Sequence, residues 1–107
     1  MTKNNRGTET VDIENYGDLF LNIAGAATTV VKSGAGTLIR IINNKPIATG
    51  VITIYDNTAA SGTKIGTITN PAALLQEGPL QADYNVRFGT GLTIVTSAAD
   101  DITVIYK

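Results

Sequence analysis

The chain has 107 residues, 43% of them hydrophobic and only 16% charged, with a formal net charge of −1 and neither Cys, His nor Trp. That length suits one domain and one core, and the missing residue types remove disulfides, thiolate or imidazole metal sites and the usual general base near neutral pH. Lys and Arg are scattered singly, so no basic stripe tracks a phosphate backbone, and no apolar run approaches the ~20 residues of a membrane-spanning helix; neither nucleic acid nor membrane is an expected partner.

Residues 1–17 read as a polar arm, with Lys3, Arg6, Glu9, Asp12 and Glu14 around the few buriable side chains Val11, Ile13 and Tyr16. The segment lacks the apolar stretch of a secretion signal, which leads us to expect synthesis in a host cytoplasm. From residue 18 to 107 the pattern changes to short apolar stretches separated by turn signals, the spacing of a sandwich or barrel.

Leu19, Leu21 and Ile23 share one face of the first predicted strand. A second covers Thr28–Lys32, and Ser33-Gly34-Ala35-Gly36 is suited to turning it back into a third. In that third strand, alternation over 36–43 sets Ile39 and Ile41 against Leu38, Arg40 and Ile42. A strand apolar on both sides must be covered on both, which makes Leu38, Arg40 and Ile42 candidates for an oligomer interface. The clearest hairpin joins Val51–Tyr55 to Thr63–Ile68, with Gly66 placed for a bulge. Residues 71–76 suggest one helical turn after Asn70, too short to persist alone. Strands over 81–88, 91–96 and 102–106 complete the chain. Seven or eight antiparallel strands need two packed sheets, so the expected fold is an all-β sandwich of the jelly-roll kind, preceded by the arm.

Candidate chemistry is sparse. Ser33, Ser61 and Ser97 fall in turns or at strand ends without a neighbouring base. Asp100 and Asp101 are adjacent, so in a strand they point to opposite faces, and the expectation is a turn followed by a solvated strand entry. Asp83 has no accompanying ligand set. Asp56-Asn57-Thr58 lacks the acid spacing of a calcium loop and reads as a hairpin turn. Ser33–Thr37 is glycine-rich but lacks the Gly-Lys-Ser/Thr ending of a phosphate loop. Tyr16, Tyr55, Tyr84 and Tyr106 would form a sugar-stacking platform only if they surfaced together; the expected place for each is a sheet margin. The chain therefore reads as a non-enzymatic module with no cofactor.

The strings Val30-Val31-Lys32-Ser33-Gly34-Ala35-Gly36-Thr37-Leu38, Thr53-Ile54-Tyr55-Asp56-Asn57, Ser61-Gly62-Thr63-Lys64-Ile65, Gly91-Leu92-Thr93-Ile94-Val95-Thr96 and Asp101-Ile102-Thr103-Val104-Ile105-Tyr106 resemble a small structural module of tailed bacteriophages, found in capsid decoration (cement) proteins, head fibres and tail proteins. The resemblance spans about residues 28–106 and consists of strand and turn motifs without catalytic content. It implies a β-sandwich, often trimeric, on the outer capsid surface of the virion, tying neighbouring copies of the major capsid protein together. On that expectation Val11, Ile13 and Tyr16 of the arm contact the capsid. A head-fibre or tail-associated module that binds a receptor or carbohydrate is the competing expectation; the short chain favours the cement role.

Overall fold

The computed structural model describes residues 18–73 and 79–107. Among them the chain forms eight strands: β1 Leu19–Ala24, β2 Ala27–Ser33, β3 Gly36–Lys45, β4 Val51–Asp56, β5 Thr63–Thr69, β6 Leu80–Phe88, β7 Gly91–Thr96 and β8 Asp101–Tyr106. They make two four-stranded sheets, ordered β1-β8-β3-β6 and β2-β7-β4-β5. Every ladder is antiparallel. Successive strands alternate between sheets except at β4–β5, the connectivity of a jelly roll. The alternation of apolar side chains places each strand because one face of each must be covered. Ile23, Leu38, Ile41, Ile102 and Val104 of the first sheet meet Ile52, Ile54, Leu92 and Ile94 of the second in one aliphatic core, closed at one end by Phe88.

Two expectations from local pattern are corrected. The turn at Gly34-Ala35, with Gly34 at φ 99°, does not make a hairpin. β2 pairs with β7 and β3 with β6 and β8, so the turn carries the chain across the core between sheets. Glycine is also needed just after it: a Cβ on Gly36 would lie 2.7 Å from the Phe88 ring and closer still to the Lys107 carbonyl. The second correction concerns the phase of β3. Leu38 lies opposite Tyr106 of β8 and Arg40 opposite Ile105, so Ile39 is an extra residue and the strand changes face there. Asn85 of β6, at φ 53°, lies beside the irregularity, in a conformation that Asn tolerates better than most residues. Leu38 is consequently fully buried with Ile41, while Arg40 and Ile42 lie on the outer face. Leu38 cannot share an outer interface with them.

The β4–β5 hairpin forms as expected, with its register shift at Ile65, next to Gly66. Gly66 serves a further purpose: a Cβ there would lie 2.7 Å from the Tyr84 hydroxyl, so its absence admits that ring from the opposite sheet. Residues 71–73 form no helical turn, and the rest of that predicted segment lies outside the described residues.

Candidate functional site

Each end of the sandwich is tied by one aspartate, and the two do different work. At the end where β4 leaves its sheet, Asp56 accepts hydrogen bonds from the backbone N–H groups of Gly89 (3.0 Å), Thr90 (2.8 Å) and Gly91 (3.3 Å) in the β6–β7 turn. Those N–H groups, Gly89 first, hold its carboxyl below the ordinary Asp value. Its oxygens are thus committed to the turn between β6 and β7, a contact that reading Asp56-Asn57-Thr58 as its own hairpin turn did not foresee.

At the opposite end Asp100 is almost wholly buried. Its Oδ2 accepts from Asn43 Nδ2 and Asn70 Nδ2, each at 3.1 Å, and its Oδ1 from Ile47 N at 3.0 Å. Asn70 Nδ2 also donates to the Ile47 carbonyl at 2.9 Å, and Gly25 N donates to the Asp100 carbonyl at 3.0 Å. The carboxylate thereby ties the end of β3 and the loops after β3 and β5 to the loop before β8, and the Asp100 backbone carbonyl adds the loop after β1. Asp100 does precede the strand as expected, but it is buried. Asp101, by contrast, faces outward and accepts from Asn22 Nδ2 at 2.6 Å. Asp83 sits on the outer face beside Arg40, 3.2 Å from its Nε. The three aspartates weighed for catalysis therefore occupy separate settings rather than one cleft. The described tyrosines are separated too: Tyr84 and Tyr106 pack against the core from the first sheet, while Tyr55 lies opposite Thr93 on the outer face of the second.

Three large apolar side chains of the described residues remain exposed, on two edge strands but on different faces of the sandwich. β1 and β2 are edge strands of their sheets and lie on the same side of the sandwich. They expose Leu19 (51%), Phe20 (72%) and Val30 (49%). Phe20 stands opposite Ile105, Ile105 opposite Arg40, and Arg40 opposite Asp83, which makes one row across the outer face of the first sheet. Ile42 lies in the next row with Asn22, Thr103 and Gln81. Of the expected interface residues, Arg40 and Ile42 thus belong to this face and Leu38 does not. Phe20 was missed, although a signal existed: placing Leu19, Leu21 and Ile23 inward leaves its aromatic ring in the outward phase. Val11, Ile13 and Tyr16 lie outside the described residues.

The described residues form a jelly-roll sandwich with Phe20 exposed on the outer face of its first sheet. No protein-family model, curated protein or solved structure matches the chain. The likeness to phage virion modules accordingly rests on the sequence strings quoted above.

Proposed function

We propose that the chain is a capsid decoration protein of a tailed bacteriophage, which binds the outer capsid surface and stabilises contacts between major capsid protein subunits. The observation that carries this reading is the exposure of Phe20 on edge strand β1, in one row with Ile105 and Arg40 across the outer face of the first sheet. An unpaired apolar edge is a template for association that proteins ordinarily cover. Phe20 alone leaves on the order of 140 Å² of ring in water, and burying it would contribute roughly 3 kcal/mol. Copies associate as a homotrimer through the outer face bearing Arg40 and Ile42, and Val11, Ile13 and Tyr16 of the arm reach onto the coat. Many copies, each bound modestly, then resist internal pressure by multivalency.

The test is cosedimentation with undecorated capsids of the source particle. The full chain should bind, and a chain lacking residues 1–17 should stay folded by circular dichroism yet fail to bind. Phe20→Ser should weaken binding by at least tenfold. Normal decoration by both variants would overturn the proposal.

A further inference from the structure

Four strands border the two sheets, β1 and β6 in the first and β2 and β5 in the second. Sheet edges are ordinarily protected by charge, by proline or by an irregularity that spoils further pairing. β2 has Lys32 and a register shift between Val30 and Lys32, β5 has Lys64 and its shift at Ile65, and β6 has Asp83, Arg87 and a break in pairing at Tyr84-Asn85. β1 has no such device. Its sequence Leu-Phe-Leu-Asn-Ile-Ala is uncharged and free of proline, and all 6 of its residues pair with β8 without a shift.

The free side of β1 has a definite phase. Gly25 N donates to the Asp100 carbonyl at 3.0 Å, and bonded pairs alternate along an antiparallel ladder. Leu19, Leu21 and Ile23 therefore bond to β8, and the N–H and C=O groups of Asp18, Phe20, Asn22 and Ala24 point to the free side. Leu19 and Leu21 belong to the inward set, opposite Tyr106 and Val104, yet Leu19 is 51% exposed because no strand lies beyond it among the described residues.

The sequence ahead of β1 matches that phase. Residues 9–14, which lie outside the described residues, read Glu-Thr-Val-Asp-Ile-Glu, with Val11 and Ile13 alternating with Thr10, Asp12 and Glu14. A three-residue loop of Asn15, Tyr16 and Gly17 has glycine at its third position, where such hairpins need left-handed backbone. That loop sets Glu14 opposite Asp18, Ile13 opposite Leu19 and Val11 opposite Leu21. Apolar side chains then meet on the inner side, while Asp12 and Thr10 stand opposite Phe20 and Asn22 on the outer side. A loop one residue shorter would put Asp12 against Leu21 and reverse every contact.

We propose that the free edge of β1 is the docking site of residues 9–14 of the same chain, which add to it as an antiparallel strand in this register. The tether is three residues long, so closing it costs little entropy, and the segment outcompetes any strand arriving from solution. The docking itself does not depend on the decoration reading; where that reading holds, the coat competes with β1 for Val11 and Ile13.

The experiment is NMR of the full chain in dilute solution without capsids, so that its failure leaves the decoration reading standing. Cross-strand Hα–Hα contacts are expected between Val11 and Leu21 and between Ile13 and Leu19, the non-bonded pairs in which the two backbones approach most closely. The amides of Phe20, Asn22 and Ala24 should exchange on the order of tenfold more slowly than in the full chain carrying Val11→Asp and Ile13→Asp. Those of Leu21 and Ile23, bonded to β8, should stay protected in both and so report that the variant is folded. Absence of the Hα–Hα contacts, exchange at Phe20, Asn22 and Ala24 that the substitutions leave unaltered, or contacts that arise only between differently labelled copies would overturn the proposal.

Discussion

Asp100 shows how much one side chain can decide. A carboxylate offers two acceptor oxygens, and here both are used, toward Asn43, Asn70 and Ile47. In Asp100→Asn one oxygen becomes an NH₂ group, so whichever way the amide turns a donor faces a donor. We expect a loss of about 2–3 kcal/mol, measurable as a lower denaturant midpoint at unchanged slope. Asp56 behaves differently because it caps a turn at the surface. Its carboxyl is held below the ordinary value by the Gly89, Thr90 and Gly91 N–H groups. The stability it contributes is therefore present above the unfolded-state pKa and is lost as pH falls through the lower folded value. Asp56→Asn should flatten the acid limb of a melting-temperature profile while leaving the limb above neutrality parallel to the parent's. None of this was legible for Asp100 from sequence, since Asp-Asp before a strand looks like any turn; only the fold brings Asn43 and Asn70 to it.

Among the elements, strand positions were largely readable, because alternation follows from the need to cover one face and the core is almost wholly aliphatic. What alternation misses is a change of phase. The extra residue at Ile39 separates Leu38 from Arg40 and Ile42, and a period-two reading carried across it assigns Leu38 to the wrong side. The packing of β5 against β6 gives a direct test. Gly66→Ala would press a methyl group into the Tyr84 ring, with Oη at 2.7 Å and Cε1 at 3.2 Å from the new carbon. Overpacking of this kind costs about 1–3 kcal/mol. Combined with Tyr84→Ala, the glycine substitution should lose most of its effect, and a double-mutant cycle measured by chemical denaturation would show that coupling. Strand partners were less readable than strand positions. The β4–β5 pair could be found because a short loop joins neighbours, whereas the other ladders join segments far apart in sequence.

For the whole molecule, that topology has a kinetic consequence. Of the six ladders only β4–β5 is local, so most pairing must await closure of long loops. Stopped-flow refolding should fall in the millisecond-to-second range typical of such sandwiches, and a microsecond phase carrying the full amplitude would contradict the ladder order. The exposed row through Phe20 was only partly anticipated at this scale, since its apolar members become neighbours only after β1, β8 and β3 are laid side by side.

The place of β8 governs when the fold can exist at all. The strand over residues 101–106 is the keel of its sheet, flanked by β1 on one side and β3 on the other. A growing polypeptide that has released everything up to β7 still has two halves of that sheet with nothing between them. Closure of the sandwich therefore waits until the six residues of β8 are available to pair with both neighbours.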